Sequence, residues 1–487
     1  MDTTSHHQTL HSFQWSFIEK VGKVIFQLAQ IALLTRFLSK DDFGLVALAL
    51  VSIEFSFLFV DAGLNAAILH IQHATDKALS SVYWLNITLS LILFGALWTA
   101  SPWIAMFYEE PALERILPIL GANIIFLAIG RQHKTYLQKQ FLFKPIALVE
   151  ISAYITSLLL AIYLALEGYG LFSLVYSALL ASLIANLCYL FLRLKQNPIH
   201  LHFSWSEVKP FVDIGKYQMG SRLLDFVSKE TDVLIIGKIL GMEVLGLYSL
   251  TKQLVLRLFN VVNPIITNVL SPWLASLQQE PEKQKTTYLL ITRYLAYLNF
   301  PLYLVFAIGS YEILYVIYGP SYTSGSLLLF TLSIYFGILS ITNPVGSLQI
   351  ATGRTDIGFY WTLFRASITP AALLIGISLG GIQGVAYSLL LLAFGLLYPL
   401  WLVQIRVMIG VSFVHYLKEF YRPLLSFLTL AFGVHFGLKP IFEAPNFIAI
   451  TLSLILALTL QIGLIYLYDS KTFSHLYSLL QKTLNRN

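Results

Sequence analysis

Seven lysine and arginine residues lie within segments that otherwise have the composition of membrane-spanning helices. A cation at the centre of such a helix costs roughly 2.5–3.5 kcal/mol on insertion scales, so these side chains normally face a water-filled cavity or a charged partner. Their positive charge indicates an anionic ligand. The seven residues are Lys23, Lys216, Arg222, Lys229, Lys252, Arg257 and Arg365.

The composition places the chain among the all-α polytopic membrane proteins. Of its 487 residues, 57% are apolar and 11% are charged, and the mean hydropathy is +0.73. A soluble domain has about twice that charged fraction. The only cysteine, Cys188, lies in an apolar run, so we expect neither a disulfide framework nor a cysteine metal site. We predict no metal, no cofactor and no nucleic-acid partner.

Apolar runs of about 20 residues, the length that crosses the hydrocarbon core of a bilayer, predict fourteen transmembrane helices. Most Lys and Arg residues of the connecting segments fall on one side, which is typical of cytoplasmic loops. Both termini are therefore expected in the cytoplasm. The predicted spans are residues 17–38, 43–69, 81–107, 116–130, 145–166, 171–192, 211–239, 245–273, 288–308, 326–349, 357–379, 382–403, 423–438 and 447–468.

An internal repeat relates the first predicted helices to those that begin near residue 211. Segment 20–49 aligns with segment 222–251 and pairs Asp41 with Glu243 and Gly44 with Gly246. Six predicted helices separate the two copies, so both have the same orientation, which is a parallel repeat. We predict an N-terminal six-helix lobe (1–200), a C-terminal six-helix lobe (201–410), and helices 13 and 14 with a cytoplasmic tail (411–487).

Polar residues form stripes on two of the predicted helices, because spacings of three and four residues place them on one helical face. The stripe on the seventh helix contains Gln218, Arg222, Asp225, Lys229 and Asp232. The stripe on the first helix contains Glu19, Lys23, Gln27 and Gln30. We expect these stripes to face a water-filled cleft rather than lipid.

Four segments resemble the polysaccharide-exporter branch of the MOP flippase superfamily, in particular the Wzx-type oligosaccharide flippases of the colanic acid and teichuronic acid exporter group. The resemblance covers essentially the whole chain. Its segments are LTRFLSKDDFGLVALA (34–49), FVDAGLNAAI (59–68), GKYQMGSRLLDFVSKETDVLIIGKILGMEVLGLYSLTKQL (215–254) and LQIATGRTDI (348–357).

The resemblance implies a transporter of two six-helix bundles plus two C-terminal helices, and no enzymatic activity. Such a protein moves an undecaprenyl-pyrophosphate-linked oligosaccharide across the bacterial inner membrane by alternating access, for capsule, exopolysaccharide or O-antigen biosynthesis. Its expected partners are this lipid-linked glycan, membrane lipids, and the polymerase or glycosyltransferases of the same pathway.

Cationic side chains suit the pyrophosphate of such a substrate, because Arg offers a planar fork for phosphate oxygens and Lys a point charge. The residues expected to bind the headgroup are Arg222, Lys229, Lys252 and Arg257, followed by Lys23 and Arg365. Acidic residues nearby either pair with these cations or carry a coupling proton or sodium ion. The acidic candidates are Asp225, Asp232, Glu54 and Asp61.

The residues leave several alternatives open. The stripe on the seventh helix also fits structural ion pairs, Arg222 with Asp225 and Lys229 with Asp232. We place Glu150 near a membrane surface. Two other transporter classes share this architecture, namely lipid II flippases and MATE-type multidrug cation antiporters. A membrane glycosyltransferase would need a sizeable loop with an acidic cluster, and the chain has none. An ATP-driven exporter would need a phosphate-binding GxxxxGK[ST] loop, which is also absent.

Overall fold

The computed structural model describes residues 3–61, 63–71, 74–194, 198–438 and 447–468, and the regular elements in these ranges are helices. The prediction of an all-α protein is confirmed. The α-helices are α1 (Thr3–Leu34), α2 (Lys40–Asp61), α3 (Leu64–His70), α4 (Asp76–Tyr108), α5 (Ala112–Lys139), α6 (Phe143–Leu166), α7 (Phe172–Leu194), α8 (Trp205–Leu240), α9 (Met242–Ser276), α10 (Pro281–Ile308), α11 (Ser310–Ile317), α12 (Ser326–Thr342), α13 (Val345–Thr352), α14 (Thr355–Gly395), α15 (Leu397–Leu400), α16 (Arg406–Ile409), α17 (Phe413–Lys418), α18 (Tyr421–Phe432) and α19 (Phe447–Tyr468).

The first compact unit comprises Met1–Ser249. In this unit α5 packs on α2, α4 and α7, and α6 packs on α1 and α7. Helix α8 packs on α2, α3 and α4. Its residues Val208 and Phe211 join a buried apolar cluster with Leu64 of α3 and Val82 of α4. The helix that bears the longest polar stripe is therefore held against the N-terminal helices.

The second compact unit comprises Leu250–Asn487. Here α10 packs on α12, α18 and α19, and α12 also packs on α14. The rings of Phe300 and Phe427 stack with centroids 5.1 Å apart at an interplanar angle of 6°. Apolar burial offers little driving force between helices in lipid, so such close van der Waals contacts hold the helices together.

Eight helical segments in the described ranges are long and apolar enough to cross a membrane. Three further helices, α1, α8 and α9, have 32, 36 and 35 residues and are not among the eight. These three bear the two polar stripes and all of the cations that the sequence singles out except Arg365, which lies on α14. The eight segments are Lys40–Val60, Asp76–Tyr108, Ala112–Lys139, Phe143–Leu166, Phe172–Leu194, Pro281–Ile308, Pro320–Thr352 and Thr355–Ile409.

Some predicted spans are divided into two helices at positions where the sequence stays apolar. The span 326–349 consists of α12 and α13 with Pro344 between them. Proline has no amide N–H and its ring clashes with the preceding turn, so it breaks the helix while the segment stays apolar. The span 43–69 is likewise divided into α2 and α3. By contrast, the predicted boundary between 357–379 and 382–403 coincides with non-helical backbone at Gly380 and Gly381 inside α14.

Helices α2 and α9 begin at residues that the repeat pairs, and they touch at two glycines that the repeat also pairs. A Cβ on Gly44 would lie 2.1 Å from the carbonyl oxygen of Met242, and a Cβ on Gly246 would lie 1.8 Å from that of Lys40. The offset of the repeat also pairs Lys40 with Met242, so the two contacts are symmetric. Only glycine allows the two helix starts to approach this closely.

Two ion pairs lie at the same end of these helices. Lys40 Nζ is 3.3 Å from Glu243 Oε1, and Lys238 Nζ is 2.8 Å from Glu109 Oε1. The hydrogen bond from Lys238 holds the pKa of Glu109 below its ordinary value. The carboxylates Glu243 and Glu109 are 65% and 81% exposed, so the contribution of both pairs to stability is small. The pairs lie at the α8–α9 turn, beside the start of α2 and the end of α4.

We predict that Gly44→Ala destabilises this contact, because the added methyl group meets backbone atoms of Met242 that cannot rotate away. Overpacking of this kind costs about 1–3 kcal/mol. The measurement is the thermal midpoint of the detergent-solubilised protein. Gly95→Ala in α4 is the matched control, because no atom lies within 4 Å of its added Cβ. Equal midpoints for the two variants would contradict the role of Gly44.

Candidate substrate-binding and coupling residues

The stripe on α8 presents its charged side chains with different exposures. Asp225 and Lys229 are exposed, Arg222 is half-buried, and Asp232 is buried. The side chains of Lys216 and Gln218 lie outside the described residues. Depth thus varies along the stripe for both signs of charge, and the most enclosed position holds the carboxylate of Asp232.

Asp232 is held by α9. The hydroxyl of Tyr248 donates a hydrogen bond to Asp232 Oδ2, and the backbone N–H of Val233 lies 2.7 Å from Asp232 Oδ1. Tyr248 is completely buried, with 0% exposure. Hydrogen bonds to a buried carboxylate compensate for its lost hydration. The sequence predicted that Asp232 is a partner of Lys229 or a coupling residue. Nothing in the sequence indicated that Tyr248 binds it.

The stripe on α1 faces other helices of the first unit. Lys23 Nζ lies 5.7 Å from the ring centroid of Tyr154 on α6, and Gln30 donates a 2.9 Å hydrogen bond to Ser177 on α7. Lys23 is nevertheless exposed. The polar face of α1 is therefore used in helix packing along part of its length, and Lys23 remains reachable from outside.

A charged cluster that the sequence did not reveal lies where α1, α5, α6 and α7 meet. Lys134 Nζ on α5 is 2.5 Å from Glu150 Oε1 on α6 and 3.8 Å from Glu19 Oε1 on α1. The hydroxyl of Tyr189 on α7 donates a 2.7 Å hydrogen bond to the same oxygen of Glu150. The side chain of Glu150 is 13% exposed. Only the tertiary fold unites the four residues.

The second unit holds the other three cationic candidates. Arg257 Nη2 donates a 3.2 Å hydrogen bond to Gln253 Oε1 one turn earlier on α9. Lys252 on α9 and Arg365 on α14 are half-buried. A guanidinium carries five N–H donors in a fixed fork, the geometry that suits an oxyanion.

The remaining acidic candidates differ in what can be described. Glu54 on α2 is exposed. The side chain of Asp61, at the end of α2, lies outside the described residues. Within the described part of the chain, no group of three or more His, Cys, Asp or Glu side chains is arranged to hold a metal ion.

Comparison with known proteins identifies the family. The family described as "Polysaccharide biosynthesis protein" matches residues 33–326, more than half of the chain. The chain belongs to this family, and the resemblance found in the sequence is confirmed.

Three relatives match most of the chain. The teichuronic acid biosynthesis protein TuaB of Bacillus subtilis (strain 168) is 29% identical over 429 residues, which cover 88% of each chain. The lipopolysaccharide biosynthesis protein WzxC of Escherichia coli (strain K12) is 26% identical over 432 residues, again 88% of each chain. The succinoglycan biosynthesis transport protein ExoT of Rhizobium meliloti (strain 1021) is 24% identical over 437 residues, covering 87% of this chain and 85% of ExoT.

Solved structures with the same fold are transporters. The lipid II flippase MurJ, in an inward closed conformation, matches with a TM-score of 0.74 at 16% identity and covers 93% of this chain and 99% of its own. An inward-facing MATE family multidrug resistance transporter of the MOP superfamily matches with a TM-score of 0.61 at 16% identity, covering 84% and 95%. This chain is a multi-pass membrane protein with the fold of these transporters, and these structural neighbours are not enzymes.

We predict that Tyr248→Phe destabilises the protein, because it leaves the buried carboxylate of Asp232 short of a donor. The expected cost is about 1–3 kcal/mol, measured as a lower thermal midpoint and less protein in membranes. Tyr303→Phe is the matched control. Tyr303 is also completely buried, but its hydroxyl has no hydrogen-bond partner in the described part of the chain. If both variants lost equal stability, the bond to Asp232 would not be the cause.

Proposed function

We propose that this chain is a flippase that moves undecaprenyl-pyrophosphate-linked oligosaccharide units across the bacterial inner membrane, for the biosynthesis of a capsule, an exopolysaccharide or O-antigen. The observation that carries the proposal is the set of cations on α8 and α9 of a chain in this family. Arg222, Lys229 and Arg257 lie on helices that are long enough to span a bilayer but too polar to face only lipid.

The physical problem for such a protein is the headgroup. The polyprenyl tail can remain in lipid, but a pyrophosphate and its sugars lose their hydration in hydrocarbon unless protein groups replace it. Arginine forks bind phosphate oxygens in pairs, and lysine adds a mobile point charge. We assign this role to Arg222, Lys229, Lys252 and Arg257, with Lys23 and Arg365 as further contacts.

The proposal includes fourteen membrane spans in a parallel two-repeat arrangement, with both termini in the cytoplasm. The break at Gly380–Gly381 supports two spans within α14. The symmetric contact of Gly44 with Gly246 supports the repeat register. Alternating access would require this contact and the Lys40–Glu243 pair to separate and form again. Their exposed, screened charges make such separation inexpensive. A polymerase and glycosyltransferases of the same pathway are the proposed partners.

A second candidate function is lipid II transport, which the TM-score of 0.74 to MurJ favours. The relatives with the higher sequence identities, 29% and 26%, are named for teichuronic acid and lipopolysaccharide biosynthesis. We therefore rank lipid-linked polysaccharide precursors first. Rescue of a strain depleted of its own lipid II flippase would reverse this order.

We predict that Arg222→Ala or Arg257→Ala lowers polysaccharide export about ten-fold or more, since a hydrogen bond to a charged group contributes about 1.5–3 kcal/mol. Arg222→Lys should restore export only in part, because the bidentate fork is lost. Export is measured as surface polysaccharide in a host that lacks its own copy of the gene, alongside the abundance of each variant in membranes.

The matched control for this export test is Arg354→Ala. Arg354 directly precedes α14 and forms an exposed pair with Asp356, 3.1 Å away. An exposed pair contributes little to stability, so this variant should export like the wild type. Full export by both Arg222→Ala and Arg257→Ala would remove these residues from the binding site, and normal surface polysaccharide without the gene would overturn the proposed function.

A further inference from the structure

One lysine serves two carboxylates in the cluster of Glu19, Lys134, Glu150 and Tyr189. Glu150 is held closely, by Lys134 at 2.5 Å and by Tyr189 at 2.7 Å. Glu19 lies 3.8 Å from the same ammonium, beyond hydrogen-bond distance. The two acids come from different helices, α6 and α1. The cluster is therefore unequal, and Glu19 is the weakly held member.

The second unit holds a saturated acid–base pair, by which we mean that one cation directs two donors at a single carboxylate. There Arg293 directs Nε and Nη2 to the same oxygen of Glu419, at 2.8 and 2.6 Å. The side chain of Glu419 is 7% exposed, and His415 Nε2 lies 3.7 Å from its other oxygen. Lys134, by contrast, has one ammonium for two carboxylates. A lysine shared in this way can exchange one carboxylate partner for the other more readily than the arginine of a saturated pair can.

Like charges close together in a low dielectric make it costly for both carboxylates to be ionised, and a proton on the less stabilised one relieves the repulsion. Glu19 is that carboxylate. The other charged groups facing it are Lys20 and Lys23 of α1. They stabilise its ionised form, so a bound proton can also leave. The side chains of Glu19 and Lys134 are 17% and 26% exposed, so the protein does not enclose either of them completely.

A sodium ion fits the cluster poorly. A metal cation between the two carboxylates would occupy the position that the Lys134 ammonium already holds, and the two positive charges would repel each other. The hydroxyl of Tyr189 is directed at Glu150 and not at an empty ligand position. A proton needs no space and no further ligands.

We propose that Glu19 binds the coupling ion of the transporter, that this ion is a proton, and that Lys134 moves between Glu19 and Glu150 as the proton leaves and returns. The proton adds to a carboxylate oxygen of Glu19 and forms an O–H bond, and Lys134 then pairs with Glu150 alone. Loss of the proton restores the shared arrangement. No other bond forms or breaks. This inference rests on the proposed function, because only a transporter has a coupling ion.

The site also has a mechanical consequence. Helix α1 packs on α6. The 3.8 Å ion pair between Glu19 and Lys134 also connects α1 to α5. Protonation of Glu19 removes that link. The proton thus changes how firmly α1 is held by the rest of the first unit. This assignment differs from the four acidic residues that the sequence suggested.

The test uses two readouts on the full-length protein. Infrared difference spectra between mildly acidic and mildly basic buffer report protonated carboxylic acids without any substrate. Proteoliposomes with an internal pH-sensitive dye report proton movement that accompanies flipping of a polyprenyl-pyrophosphate-linked oligosaccharide. We expect Glu19→Gln to lose one carboxylic acid signal and to reduce coupled proton movement about ten-fold or more.

Three further variants control the result. Glu19→Asp should retain the signal, because it keeps the carboxyl group. Lys134→Gln removes the shared cation and should shift the titration of the signal to higher pH, since an unpaired carboxylate binds its proton more tightly. Glu419→Gln, in the saturated pair, should leave proton movement unchanged. Membrane abundance is measured for each variant, and if Glu19→Gln does not accumulate, Glu19→Ala replaces it, because it also removes the carboxyl group.

The outcomes separate the two proposals. If Glu19→Gln keeps both the infrared signal and full proton movement, the assignment of Glu19 is overturned while the flippase function stands. If a sodium gradient but no pH gradient drives flipping, the coupling proton is overturned. If the wild type flips no glycan, the proposed function fails, and the infrared signal still decides whether Glu19 binds a proton.

Discussion

The rest of the structure depends on one constraint, which is that a charge inside a bilayer must be supplied with partners by the protein. The intramembrane charges whose contacts are described have partners of different kinds. Lys134 lies between two carboxylates, Asp232 accepts a hydrogen bond from Tyr248, and Arg257 is bonded to a neutral glutamine. Carrying ionisable groups through the membrane in this manner is costly. A chain that does so repeatedly is one whose function needs them.

The contacts divide the charges into two kinds. Asp232 is buried and bonded to a tyrosine, which gives it a structural contribution whatever else it does. Arg222, Lys229 and Arg257 are exposed or half-buried, so an anion can approach their side chains. The proposed function uses both kinds. Fixed pairs keep the helices assembled, and we propose that the reachable cations replace the hydration of a phosphate during passage.

The sequence predicts the helices well and the partners poorly. Hydropathy identifies the helical class, and the repeat pairs Gly44 with Gly246, which the fold brings into contact. Hydropathy misses the division of span 326–349, because Pro344 breaks a helix without making it polar. It also misses the cluster around Lys134, whose members are distant in the chain and share no helical face. Tyr189 and Tyr248 carry no charge and therefore gave no signal.

The central claim is that this protein moves a lipid-linked glycan and not a soluble cation. The most direct measurement reconstitutes the purified protein in liposomes with a polyprenyl-pyrophosphate-linked oligosaccharide on one leaflet and follows its exposure on the other with a membrane-impermeant lectin. The account predicts protein-dependent exposure of the glycan and no accumulation of a cationic dye. Dye accumulation without glycan exposure would contradict it and would indicate a multidrug antiporter.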